Sequence, residues 1–394
     1  MKTPRPSARM PHLIQLRNLK MARSAHAYVR GSTVQFYEWL HSQSGRRLPH
    51  GPAIWICGDC HAGNLGPTGD TKGRIDMHIR DLDQTVIGNP AHDLVRLALS
   101  LATAARGSDL PGVTTARMLE EMMVGYEQAF KDKPDAAPPR PSQVKAGMRS
   151  AVERTWKNLA RDRIENVRPT IPLGKHFWPL SRAEKNALHT VCASDEIQQL
   201  VTSLKGRPKD AKVELLDSAY WVKGCSSLGL LRYAALLGVG DKDDQEYCLI
   251  DIKEAVGAAA PRVARAKMPR DNGRRVVEGA RQLSPGLGER MVATRFLDHG
   301  FFIRELLPQD MKLELDELSE TDAMHAAGYL ARVVGVAHAR QMDRATRKDW
   351  MAVLQENRSK QLDAPSWLWT SVVQLVGSHE QGYLNHCRRY ALEH

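Results

Sequence analysis

Cysteine is scarce in this chain, with 6 among 394 residues, and Cys57 and Cys60 are the sole pair close in sequence. A disulfide scaffold is therefore not expected, nor a zinc site assembled from two cysteine pairs. No stretch approaches the roughly 20 apolar residues that span a bilayer. Residues 1–50 hold no apolar run of signal-peptide length, so a soluble, cytoplasmic chain without a membrane partner is expected. Internal repeats are absent. Aromatic residues make up 6% and form no aromatic-basic platform, and no nucleic-acid motif is present, so specific nucleic-acid binding is not expected. A hydrophobic content of 42% is enough for large cores, and the length suggests two or three domains. The net charge of +11, with basic clusters at Arg149 to Arg163 and at Arg262, Arg265, Lys267, Arg270, Arg274 and Arg275, reads first as a solvated basic face and leaves room for an anionic substrate.

Against this background one segment carries chemistry. Ile56-Cys57-Gly58-Asp59-Cys60-His61-Ala62-Gly63-Asn64-Leu65 is followed by Arg80-Asp81-Leu82-Asp83 and by Gly88-Asn89-Pro90-Ala91-His92-Asp93-Leu94. Phosphoryl transfer needs a carboxylate beside the attacking hydroxyl, and an amide oxygen with a second carboxylate to hold magnesium against the nucleotide phosphates. Asp59, Asn64 and Asp81 are those three groups, with Asp83 a rival for Asp81. Ala53 to Cys57 reads as a buried strand ending in a loop at Gly58-Asp59. Gly66, Pro67, Gly69 and Gly73 form turns and Ile75, Met77 and Ile79 alternate, so a hairpin from Leu65 to Ile79 would return Asp81 to Asn64. Asn89 and Pro90 read as N-cap and first residue of a buried helix. The Cys-x-x-Cys-His string Cys57 to His61 also matches covalent haem attachment. Haem attachment requires export, and a redox or zinc role requires further ligands or free thiols, so Cys57 and Cys60 read as packing residues.

The loop resembles the aminoglycoside phosphotransferase branch of the protein-kinase-like superfamily, with its His-Gly-Asp-x-His-x-x-Asn loop, Ile-Asp metal ligand and Gly-Asp-Pro-x-x-Asp-Leu helix start. Cys57 replaces the first His, Arg80 the Ile, and Asn89 the Asp before proline. The resemblance implies Asp59 as catalytic base, Asn64 and Asp81 as magnesium ligands, and Asp93 as a structural helix-start residue.

A kinase-like protein also needs a nucleotide-covering sheet, and the residues before this loop are too few for it, although Ser32 to His41 reads as a helix. Residues 213–308 fit instead. Val213 to Val222 and Leu228 to Leu237 flank a small-residue turn containing Gly224, Ser226, Ser227 and Gly229, whose amides can approach phosphates. Tyr247 to Lys253 reads as a third strand that presents Lys253 to phosphate oxygens. Glu278, on a helix around Arg274 to Leu283, is the expected partner of Lys253, with Glu254 a competitor. Met291 to Leu297 and Phe301 to Leu307 complete five strands, and Pro308 marks a hinge. Thr321 to Met342, ending in His338-Ala339-Arg340, resembles the helix that precedes the catalytic loop in ordinary kinases, yet here it comes last. The order implies circular permutation.

These strings, together with Lys20-Met21-Ala22-Arg23-Ser24, Arg30-Gly31, Ile252-Lys253-Glu254-Ala255 and Arg275-Val276-Val277-Glu278-Gly279, resemble the bacterial family named domain of unknown function 2252 over nearly the whole chain. That resemblance carries no substrate with it. The expected architecture is α+β: a circularly permuted, two-lobed kinase-like fold with a mostly helical large lobe and a small antiparallel nucleotide lobe. Expected divisions are 1–109 for the catalytic-loop part, 110–212 for a helical insertion, 213–310 for the nucleotide lobe and 311–394 for the helical remainder. Within the insertion, Lys131 to Pro141 reads as a linker, and helices at Val113 to Phe130, Pro141 to Val167 and Ser181 to Leu204 as packing elements able to cap the cleft. His176, Phe177 and Trp178 read as packing. The expected activity is ATP- and Mg2+-dependent phosphoryl transfer to an unknown acceptor. The alternatives are a nucleotide-binding pseudokinase or regulator, or a nucleotidyltransferase using the same pocket.

Overall fold

The computed structural model of the protein describes residues 3–42, 48–131, 140–153, 170–241, 245–311, 318–356 and 364–390. The prolines of the expected linker (Pro134, Pro138, Pro139) and the expected helix beyond Glu153, with its basic residues to Arg163, lie outside the described residues.

Three helices open the chain: α1 (Arg9–Met21), α2 (Ala25–Gly31) and α3 (Thr33–His41). β1 (Ile54–Ile56) follows, then the hairpin β2 (Leu65–Gly69) and β3 (Ile75–Ile79), whose register pairs Leu65 with Ile79. β4 (Val86–Gly88) closes back on β1. Asn89 caps α4 (Pro90–Gly107) by accepting from the Ala91 amide, and the fixed φ of Pro90 suits the first helical position. Leu94, Leu97, Leu99 and Leu101 on α4 are fully buried. Each contributes roughly 1.5–3 kcal/mol relative to exposure, which is why this helix can serve as the floor beneath a polar loop.

Past α4, α5 (Gly112–Gln128) and α6 (Ser142–Glu153) precede the two-residue strand β5 (Phe177–Trp178). Next come α7 (Arg182–Cys192) and α8 (Asp195–Thr202). The sequence pattern predicts one helix from Ser181 to Leu204. Two form, because the chain breaks at Ala193 and restarts after Ser194, whose extended backbone begins α8. Ser181 and Glu184 cap α7 with a reciprocal capping box.

The second half begins with β6 (Val213–Trp221), β7 (Arg232–Val239) and β8 (Glu246–Glu254). α9 (Asn272–Leu283) and the short α10 (Pro285–Gly288) lead to β9 (Met291–Phe296) and β10 (His299–Leu306). These strands and β5 make a six-stranded antiparallel sheet in the order β5-β6-β7-β8-β10-β9. β5 is one strand more than the five expected. Phe177 and Trp178 stack on Trp221 and Tyr220, so the aromatic pair secures the edge strand by packing. α11 (Glu320–Ala339), α12 (Arg344–Gln355) and α13 (Ser366–Tyr390) end the chain. The protein is thus mixed α+β, with helices packed around the loop and an antiparallel sheet beside it.

Two parts of residues 110–212 go different ways. α5 lies along α11, where Gly328 and Gly125 let the two backbones touch: a Cβ at Gly125 would come within 2.0 Å of the Gly328 carbonyl oxygen. α7 and α8 bury Leu188, Val191, Ile197 and Val201 against the sheet. No helix among the described residues is long and apolar enough to cross a membrane.

Candidate functional site

The loop between β1 and β2 is held from below. Asp93, fully buried in the first turn of α4, accepts from the backbone N–H of Cys57 at 2.7 Å and of Gly58 at 2.9 Å. Its Oδ2 also lies 3.1 Å from Nε2 of the equally buried His338, at the end of α11. A carboxylate accepts only, so Nε2 donates, and Nδ1 takes the Tyr126 hydroxyl at 2.9 Å, which in turn accepts from Trp350 Nε1 at 3.1 Å. Gly58 is glycine for a steric reason: its φ is +75°, and a Cβ there would meet the Gln84 carbonyl oxygen at 2.1 Å. Thr85 Oγ1 donates to the Ile56 carbonyl at 2.6 Å, and Arg275 of α9 donates to the carbonyls of Thr85, Asp83 and Val256, sewing β4 and the Asp83 loop to the sheet half.

On this platform Asp59 is 8% exposed and receives Arg96 Nε at 2.8 Å on Oδ1. Arg96, on α4, spends another nitrogen on the Val29 carbonyl at 2.6 Å. His61 stands with Nε2 4.0 Å from the other oxygen of Asp59. Burial, then the charges of Arg96 and Arg30, hold that imidazole well below its usual range, so it is neutral. Asn64 ends a short 3-10 turn and donates from Nδ2 to the backbone carbonyls of Asp59 (3.0 Å) and Asp81 (3.2 Å). With the amide nitrogen so used, its Oδ1 is the group left for the cleft that Asn64 lines.

Behind the cleft-lining aspartates lies Lys253, 4% exposed on β8. Its ammonium lies 3.1 Å and 3.4 Å from the two oxygens of Asp81, a partner 172 residues away in sequence, and in contact with Asp83 Oδ2. Burial works against the ammonium, but Asp81 and Asp83 outweigh it and raise its pKa. Desolvation is overcome in the same way at Asp81, which Lys253, Asp83 and Arg304 hold well below the carboxylate range. Asp83 is pushed up to about 7 by burial and then by the Asp81 charge, with Lys253 opposing. The two carboxylates share the charge of one cation and titrate as a pair. Asp81 is 51% exposed at the side chain and Asp83 23%, so Asp81 presents its oxygens to the cleft while Asp83 sits deeper.

Glu278 does not meet Lys253. Its carboxylate faces Arg281 at 3.8 Å and accepts from Gln282 at 3.3 Å, on a half-exposed face of α9, while the cleft ammonium is already taken by the two aspartates. Glu254 is occupied as well, accepting from the Leu231 amide and pairing with His299, each at 2.8 Å. The turn after β6 is longer than the sequence suggests, because β7 starts at Arg232. Ser226 and Gly229 line the cleft. Gly224 and Ser227 pack on each other at the base of the turn: Gly224 has φ +97°, and a Cβ would lie 2.4 Å from Ser227 Oγ. Lys20 of α1 donates to the Gly224 carbonyl at 2.9 Å.

Asp59, Asn64, Asp81, Asp83, Ser226 and Gly229 therefore open onto one cleft of about 730 Å³. Its outer wall comes from α1, α3 and α13, through residues such as Ile14, Val34 and Tyr390, and none of the described residues of 110–212 lines it. The described middle helices pack on α11 and the sheet, as packing elements would, and the first and last helices stand over the cleft. Residues unforeseen from sequence are Arg96, the partner of Asp59, and the pair Arg232 and Asp251, joined by bidentate contacts of 2.8 and 2.6 Å, with Arg232 directly opposite Lys253 on the neighbouring strand. An arginine within an apolar helix is itself a signal that a buried acid awaits it. Cys57 and Cys60 are buried, reduced thiols.

The oxygen set suits a hard cation such as Mg2+. Asp83 Oδ1 is buried without a hydrogen-bond partner, and a lysine ammonium already rests on both aspartates, so positive charge is what this corner accepts.

Searches of curated proteins and of solved structures found no match. The family model described as "Uncharacterized protein conserved in bacteria (DUF2252)" matches residues 9–389, and the chain belongs to that family.

Proposed function

We propose that the protein is an ATP- and Mg2+-dependent phosphotransferase, built as a circularly permuted, two-lobed kinase-like fold and working in the cytoplasm. The observation that carries this reading is the meeting of Lys253 with Asp81 at a cleft that Asp81 lines together with Asp59 and Asn64. A sheet lysine, a loop carboxylate, an amide and a metal-binding aspartate are the parts that phosphoryl transfer requires. The permutation is supported by α11, which follows the sheet in sequence yet docks His338 onto Asp93 beneath the loop.

In this reading Asp59 orients the acceptor hydroxyl and takes its proton. Arg96 fixes one carboxylate oxygen, leaving Oδ2 for the acceptor. Asn64 Oδ1 and Asp81, with Asp83 behind, would hold magnesium, which when bound neutralises phosphate charge. Lys253 then serves the phosphate oxygens, beside the turn of Ser226 and Gly229. Neutral His61 adds no charge next to the base.

ATP labelled separately on its terminal and α phosphates tests the proposal. Terminal-label transfer or hydrolysis is expected, accompanied by a higher melting temperature with Mg2+ and ATP. Asp59→Asn should keep nucleotide binding and lower turnover by about 10²–10⁴-fold. Adenylate transfer would replace the reading with nucleotidyl transfer, and binding without turnover with a nucleotide-binding regulator. Neither binding nor turnover would remove it.

A further inference from the structure

Arg30 is the last-turn cation of α2 and is not used by the mechanism above. Its guanidinium lies against the catalytic loop at Gly63, where a Cβ would come within 3.1 Å of Arg30 Cζ and 3.2 Å of Nε. The missing side chain at Gly63 is what lets the guanidinium approach. Arg96 fixes the relation to the base, because it joins Asp59 Oδ1 to the carbonyl of Val29, the residue before Arg30. Among the described residues, Arg30 makes no hydrogen bond or ion pair. The acids nearby are committed elsewhere, Asp59 to Arg96 and both Asp81 and Asp83 to Lys253.

Other polar atoms around the base are also left over. Arg96 Nη1 and His61 Nδ1 are buried without partners on side chains 1% and 7% exposed. Thr33 Oγ1, on a residue lining the cleft, is likewise unsatisfied. Buried donors without acceptors are costly, and a cation with no counter-ion beside them marks a place for a negatively charged oxygen group. We propose that Arg30 anchors an oxyanion of the acceptor, a phosphate or carboxylate group carried near the hydroxyl that Asp59 addresses. This rests on the phosphotransferase reading for the word acceptor, though the anion site itself does not.

Calorimetric titration of the full chain, with magnesium chelated, tests it using inorganic phosphate in one arm and acetate in another. At least one anion should bind, and the one that does names the group. Arg30→Met should weaken that binding by about tenfold or more, the loss of one charge-assisted contact. Arg30→Lys, which keeps the charge and folds under the same constraints but lacks the planar fork, should fall between the two. Arg281→Met, which removes an exposed charge on α9 that does not line the cleft, should bind the anion as the parent does. The proposal fails if neither anion binds the parent, if folded Arg30→Met binds as tightly, or if Arg281→Met loses as much affinity, which would make the effect one of net charge. Turnover of labelled ATP without anion binding would leave the phosphotransferase standing and remove this site; Arg30-dependent anion binding without turnover would do the reverse.

Discussion

Replacing Asp93 by asparagine probes the support on which Asp59 rides. The carboxylate takes Gly58 N–H on Oδ1, and Cys57 N–H and His338 Nε2 on Oδ2, at 2.9, 2.7 and 3.1 Å. An amide has one acceptor oxygen. With that oxygen in the Oδ2 position, the new NH2 faces the Gly58 N–H; turned over, it faces two donors. One contact to a charged group is lost outright and two are weakened, against about 1.5–3 kcal/mol for each such bond, while a buried N–H left unpaired costs about 1–3 kcal/mol. We expect a loss of about 3–5 kcal/mol, a large part of the roughly 5–15 kcal/mol that holds a domain together. Urea unfolding followed by circular dichroism should show a midpoint well below that of the parent. Turnover at a temperature where the variant is still folded should fall as well, since the loop amides fix Asp59. An Asp93→Asn protein that unfolds at the parental midpoint would refute the hydrogen-bond account of the loop.

His379, 2% exposed, gives a pH prediction: Nδ1 donates to the Leu375 carbonyl at 2.9 Å, Nε2 has no partner, and burial, then Arg96, pushes the imidazole down to about 4. The unfolded chain takes up that proton near 6.5, so this contribution is complete above about 6.5 and is lost as pH falls toward 4, by about 3 kcal/mol at most. Melting temperatures at pH 7 and pH 5 should differ more in the parent than in His379→Met, and equal differences would exclude the assignment. Glu278→Ala should change ATP affinity by no more than about twofold, because its partner is an exposed Arg281 whose pairing contributes about 0–1 kcal/mol. A tenfold loss would mean that α9 turns Glu278 onto Lys253 when nucleotide binds.

What the sequence determined by itself was local. Turn formers from Gly66 to Gly73, the alternation of Ile75, Met77 and Ile79 and the Asn89-Pro90 helix start each fix a short stretch through backbone preferences, and β2, β3 and α4 form where those preferences place them. Asp59 and Asn64 share one turn for the same reason. The tertiary structure alone decided which charges meet: Lys253 with Asp81 and Asp83 rather than Glu278, and Asp59 with Arg96. It also decided that α7 and α8 back the sheet while α1, α3 and α13 wall the cleft. A side chain's reach is set by local geometry, but its partner depends on which distant segment burial brings alongside, and no periodicity within a strand or helix encodes that.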